Sequence, residues 1–160
     1  MNQNKLTQKS QEALQEAQSA ALRRGHQEVD VEHLIAVLLN QEGGVLPRIL
    51  QRLEAPAGDL RSALAAALDK RARVSGPGAD IRLGRRLHEL LVRAEDEAGK
   101  LKDEYVAVEH LVLAALAEGT GETSRAFAGV GVTRDRFVEA LSALRGKQRV
   151  TTDNPEDSYD

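Results

Sequence analysis

The 160-residue sequence contains no cysteine. That excludes a disulfide scaffold, a Cys-bound zinc and a thiol nucleophile, and it fits a reducing compartment without requiring one. Aromatic residues make up 2% of the chain, and Phe127, Phe137, Tyr105 and Tyr159 are the complete set. The core must therefore be built from Leu, Ala, Val and Ile, which suits closely packed helices. No stretch approaches the ~18–20 apolar residues of a membrane span. The opening Met1-Asn2-Gln3-Asn4-Lys5 has no apolar run behind it, so no signal peptide and no membrane partner are expected. Charge of one sign is also scarce. The net charge is −3, and the last ten residues carry Asp153, Glu156, Asp157 and Asp160 with no Lys or Arg. The remaining body is nearly neutral, which argues against nucleic acid as a main partner.

Catalytic motifs are missing as well. There is no Gly-x-x-x-x-Gly-Lys-Ser/Thr to cradle a nucleotide, no Gly-x-Ser-x-Gly and no His-Glu-x-x-His. Gly129 and Gly131 resemble half of a dinucleotide fingerprint, but no strand precedes them. No nucleophile–base–orienter set can be assembled, so no catalytic residue, metal ligand or cofactor is assigned to this chain.

What the sequence does contain is one sentence written twice. Val29-Asp30-Val31-Glu32-His33-Leu34 recurs as Val106-Ala107-Val108-Glu109-His110-Leu111, an offset of 77 positions from Val29 to Val106. The register holds without gaps from Leu14 and Leu91 to Ala66 and Ala143. A unit of this length exceeds most solenoid repeats, and two copies fill one ordinary domain. Helical periodicity runs through both copies. Thr7 reads as the N-cap of the first helix and Gly25 as its stop; Asp30 caps the second, and Thr133 caps the last. Ser75-Gly76-Pro77-Gly78 reads as a non-helical connector. The pattern predicts an all-α fold: two pseudo-twofold-related four-helix repeats in one globular domain, with no strand. Repeat one covers about 1–74, the connector 75–80 and repeat two about 81–146, leaving 147–160 as a polar linker. The groove between the halves is the first place to look for a site.

The repeated Glu-His-Leu invites a zinc reading of His33 and His110, but a duplicated structural histidine in the first turn of a helix is favoured. Glu32 reads as a carboxylate on the positive end of a helix dipole, worth about 0.3–1 kcal/mol. Lys70, Arg71, Arg73, Arg85 and Arg86 read as a solvated helix end plus a linker. Glu109 differs from Glu32, because the capping Asp30 has become Ala107 in the second copy. Either Asp103 folding back or a ligand must satisfy those N–H groups.

The doubled half-domain, the Thr7-Gln8-Lys9-Ser10 start, Asn40-Gln41-Glu42-Gly43-Gly44, and Arg145-Gly146-Lys147-Gln148-Arg149-Val150 before an acidic tail resemble a known family. The chain looks like the N-terminal domain of the ClpB class of Clp/AAA+ protein disaggregases, over residues 1 to about 146. The resemblance implies a cytoplasmic, hexameric, ATP- and magnesium-dependent parent that threads aggregated polypeptide through a pore with the DnaK chaperone system. It implies a mobile N-terminal domain that captures unfolded or aggregated chains; the isolated chain is expected to be monomeric, since each half can bury its apolar face on the other. It places substrate-linked polar positions at Thr7, Asp103 and Glu109, and an apolar groove wall near Leu14, Leu91 and Leu111. Each of those leucines reads equally well as core, and Thr7 as a simple cap. The alternative within the same fold is an adaptor-docking domain of a ClpC- or ClpA-type unfoldase that feeds a protease.

Overall fold

In the computed structural model the described residues are 3–74 and 80–159. The connector expected at 75–80 falls almost wholly outside them. Eight α-helices are present among the described residues: α1 Gln8–Arg23, α2 Val31–Leu39, α3 Val45–Arg52, α4 Ala57–Asp69, α5 Arg85–Lys100, α6 Val108–Glu118, α7 Glu122–Gly129 and α8 Arg134–Arg145. Helices α1 and α5, and likewise α3 and α7, have bounds that differ by the sequence offset at both ends. The expected caps form. Thr7 accepts from Ser10 N–H at 3.2 Å, Asp30 from Val31 N–H at 2.7 Å, and Thr133 from Arg136 N–H at 3.2 Å.

The repeat is preserved even where residue types changed. Gly25 closes α1 with φ +74°, and its counterpart Lys102 adopts φ +58°; Glu54 at φ +54° matches Gly131 at φ +76°. A left-handed turn is demanded at both positions in each copy. Glycine takes it freely in one copy, while a side chain bears the steric cost in the other.

The expectation of no strand needs correction. Glu28–Val29 (β1) pairs in parallel with Arg82–Leu83 (β2), and Leu6 bridges Val106 in the same sense. These are one contact and its pseudo-symmetric image, since Leu6 maps to Leu83 and Val29 to Val106. Two-residue strands are too short to show alternation in sequence. Each half thus lends its opening residues to the other. Packing is exchanged too: α3 lies on α6 and α8 of the second half, and α7 on α2 and α4 of the first. The central α2 and α6 are apolar almost all round, and Leu34, Ile35, Leu38, Leu111 and Val112 are fully buried.

The histidines of the repeat are structural. Asp30 N–H donates to His33 Nδ1 at 2.9 Å, so the hydrogen sits on Nε2 and is given to His26 Nδ1 at 2.8 Å. In the second half Ala107 N–H donates to His110 Nδ1 at 2.8 Å, and His110 Nε2 donates to Asp103 at 2.7 Å. Burial, then the neighbouring His26 and Arg71, press the His33 pKa from 6.5 down to about 4, against the weaker pull of Asp30 and Glu32. A depressed pKa means the native state holds this imidazole neutral while the unfolded chain takes up the proton. The associated stability is complete above pH 6.5 and is lost as pH falls toward 4. Thermal melts between pH 7 and 4 are expected to show a falling Tm across that window, and His33→Gln is expected to flatten it. A Tm insensitive to pH in the parent chain over that range contradicts the assignment.

Candidate functional site

Two features lie where the halves meet. The first is a mixed cleft of about 290 Å³ between α1 and α5, lined by Leu6, Leu14, Leu83 and Leu91 and by the polar Gln11, Gln15, Gln18 and His88. Six of these residues form pseudo-equivalent pairs: Leu6 with Leu83, Gln11 with His88, and Leu14 with Leu91. The cleft therefore straddles the pseudo-twofold axis. Ala13, Ala17 and Ala21 of α1 and Leu87, Leu90, Ala94 and Ala98 of α5 turn inward; Leu14 is half-buried at the cleft, and Leu91 reaches it while only 5% exposed.

Leu14 and Leu91 thus stand where the groove wall was expected. Leu111 does not. It is 0% exposed and belongs to the core, as does its counterpart Leu34. The first turn of α6 is covered on all sides, so the inward stripe of that helix never reaches the cleft.

The second feature is a buried polar cluster around the N-terminus of α6, and it gathers Thr7, Asp103 and Glu109. Arg145 holds Asp103 through two bonds of 2.9 and 2.7 Å and reaches Glu109 at 3.3 Å. Thr7 donates to Glu156 Oε2 at 2.6 Å, and Val108 N–H donates to the same oxygen at 3.1 Å. Tyr159 donates its hydroxyl to Glu109 at 2.6 Å. The orphaned helix start at Ala107 is therefore capped neither by Asp103 nor by an outside ligand. It is capped by Glu156, from the segment expected to be a free linker. Asp103 serves instead as the acceptor for His110, Arg145 and Val150 N–H (2.9 Å). Burial opposes its charge, but those bonds outweigh burial and hold its carboxyl well below the usual range.

The segment after α8 lies on the body. Val150, Glu156 and Tyr159 are buried, and a short 3-10 helix spans Glu156–Ser158. Gln8 N–H donates to Asp153 O at 2.7 Å, and Arg48 donates to the carbonyls of Tyr159 (2.8 Å) and Glu156 (3.1 Å). Sequence reading missed Glu156, Tyr159, Arg145 and Arg48. The one signal for Glu156 was the missing cap at Ala107.

The matching site in the first half is built differently. Glu32 is fully buried, not an exposed dipole partner, and receives Arg86 through bonds of 2.9 and 3.1 Å, Thr123 at 2.5 Å, and Arg71. Arg71 also binds Asp30 at 2.6 Å, and Arg86 binds Glu118 at 2.8 Å. Both arginines are half-buried and paired: Arg71 binds within its own half, and Arg86 reaches across from the second half to Glu32 and Asp30 of the first. Burial works against the charge on Asp30 and Glu32, and the arginine and other hydrogen bonds hold both carboxyls below their ordinary values. The twin site is internally balanced. Around Glu109, by contrast, Asp103 and Glu109 share Arg145, Glu156 is met by Thr7 and Val108 N–H alone, and one oxygen each of Glu109 and Glu156 is buried without a hydrogen-bond partner.

Known proteins share this architecture. The N-terminal domain of Hsp104 from Candida albicans superposes with a TM-score of 0.82 at 22% identity, over 94% of this chain and 98% of that one. A ClpV N-domain in complex with a VipB peptide matches with a TM-score of 0.65 at 22% identity, over 87% of this chain and 86% of that one. In sequence, the chaperone protein ClpB of Nitratidesulfovibrio vulgaris is 46% identical over 167 aligned positions, which take in 100% of this chain but only 19% of that protein. The signature of the Clp repeat (R) N-terminal domain covers residues 5–130. With helices in two interlocked copies and a family match across most of its length, the chain belongs to the Clp repeat (R) N-terminal domain family and is similar to the N-terminal region of ClpB chaperones.

Proposed function

We propose that this domain captures unfolded or aggregated polypeptide for a cytoplasmic ATP-driven disaggregase. The observation that carries the reading is the leucine-walled cleft on the pseudo-twofold axis, beside the polar cluster of Thr7, Asp103 and Glu109. An unfolded chain is recognised by exposed apolar side chains rather than by a fixed sequence. A cleft walled by four leucines and rimmed by glutamines suits such a guest. At ~25 cal/mol per Å² of apolar area, less the cost of ordering the guest, binding there is weak and reversible. That suits delivery into a pore. The ClpV–VipB complex adds that this fold accommodates a bound peptide.

In this reading residues 1–146 are the non-catalytic binding domain, monomeric when isolated. Residues 147–160 lead toward ATPase modules that use ATP and magnesium in a hexameric parent working with DnaK. Leu14, Leu91, Thr7, Asp103 and Glu109 are the positions proposed to serve substrate; Leu111 serves the fold.

The test is a titration with a permanently unfolded protein, such as reduced and carboxymethylated α-lactalbumin. Leu14→Ser is expected to weaken binding about fivefold, the equivalent of roughly 1 kcal/mol of lost apolar contact, with helicity by circular dichroism unchanged; Leu91→Ser, at a residue only 5% exposed, is expected to do the same once binding is referred to the folded fraction from a melt. No binding at millimolar concentration, together with tight binding to a folded adaptor, favours the docking alternative.

A further inference from the structure

The polar cluster already has an occupant. We propose that residues 150–159 are a self-ligand of the Glu109 site, so that a polypeptide client reaches Thr7 and Glu109 only by displacing them. This rests on the capture reading for the client and on geometry alone for the occupant.

Four observations converge. First, the N-terminus of α6 lost its own cap at Ala107, and Glu156 supplies the missing acceptor from 48 residues away while also accepting from Thr7. Second, Tyr159 lies three residues further on and gives its hydroxyl to Glu109, with its ring 5.8 Å from the Arg145 guanidinium. The pattern recognised is thus a single 3-10 turn, Glu156–Ser158, that presents a carboxylate at its start and a phenol three positions later. Third, the segment is held mainly through its backbone and two anchors: Arg48 binds two of its carbonyls, Gln8 a third, and Glu104 N–H binds Val150 O at 2.7 Å. Contacts to main-chain carbonyls read no side-chain sequence, so another polypeptide able to adopt the same turn can take this place. Fourth, the docked state is imperfect. Glu109 Oε1 and Glu156 Oε1 are buried without partners, and each such group gives up hydration without full return. At the twin site Glu32 is instead met by Arg71, Arg86 and Thr123.

A tethered segment acts on its site at an effective concentration on the order of millimolar. A free peptide of residues 150–159 at micromolar concentration therefore competes poorly with the chain's own copy. The experiment uses that peptide, fluorescein-labelled, against the full 160-residue chain and its Glu156→Ala/Tyr159→Phe variant. The variant is expected to bind the peptide at least about tenfold more tightly than the parent chain. Equal affinity for both, or no binding to the variant, overturns the proposal. Tyr159→Phe alone is the milder variant if the pair lowers the melting temperature sharply, and it is read the same way.

Competition with a client is tested separately with a lock. Gln8 and Asp153 are bonded through both backbone and side chain, which brings them within reach of a disulfide, and the chain has no other cysteine to interfere. In the Gln8→Cys/Asp153→Cys variant, oxidation is expected to weaken binding of carboxymethylated α-lactalbumin several-fold, and reduction to restore it. Identical binding in both redox states overturns the competition. Peptide binding without any client binding, in either state, sinks the capture reading and leaves the self-ligand standing.

Discussion

Asp103→Ala is expected to destabilise the domain by about 3–5 kcal/mol, the cost of leaving a nearly buried arginine without its main partner. Arg145 is 5% exposed and spends two of its N–H groups on Asp103. The same carboxylate receives His110 Nε2 and Val150 N–H, so one substitution strands three donors. Glu109 is too weak a substitute, because it meets Arg145 only at 3.3 Å and is already engaged by Tyr159. For a domain of this size the loss corresponds to a Tm lower by on the order of 10 °C. Asp103→Asn keeps an acceptor for His110 but loses the charge, and should fall between the two. Urea unfolding measures all three chains, and a loss below about 1 kcal/mol for the alanine variant would falsify the coupling. Acid provides a second view. The native state holds this carboxyl below its ordinary value of 3.8, so its stabilising contribution is present above that value and fades as pH drops further.

Leu111→Ala and Leu14→Ala are expected to part company. Leu111 has no exposed surface and lies among the closely packed residues of α6, so its truncation leaves a cavity and costs about 2–5 kcal/mol. Leu14 faces the cleft, where part of its surface is already open, and its truncation costs about 1 kcal/mol. Binding of unfolded polypeptide reverses the order: Leu14 matters directly, and Leu111 only through the fraction of folded protein. Equal losses of stability would place Leu111 back on the wall. This contrast also warns against reading binding from variants of Leu111 without a stability control.

The parts legible in the sequence are those set by local periodicity and by the repeat. The offset of 77 made α1 and α5 equivalent helices; that Leu14 and Leu91 face a cleft was implied only by the family resemblance, since equivalence alone also pairs Leu34 with Leu111, which are core. The caps at Thr7, Asp30 and Thr133 were legible because a cap is a contact within one turn. Leu111 was not, since periodicity separates the inward from the outward face of a helix but cannot say that every face of α6 is covered. Arg71 and Arg86 looked solvated because their partners, Asp30 and Glu32, lie 39 to 56 positions away in the chain. The docking of residues 150–159 was hidden by their polar composition. A carboxylate such as Glu156 is buried only when distant donors await it, and those donors, Thr7 and Val108 N–H, are set by tertiary structure.

The cleft between Leu6, Leu14, Leu83 and Leu91 sits on a rotation axis, and that has a consequence for anything lying in it. A half-turn carries one end of the trough onto the other, so its leucine walls read as a palindrome. An extended guest meets the same oily surface whether it runs amino to carboxyl or the reverse. Residues that break the rotation tell the two directions apart: His88 against Gln11, and Gln15 and Gln18, which line the trough where their counterparts Val92 and Glu95 do not.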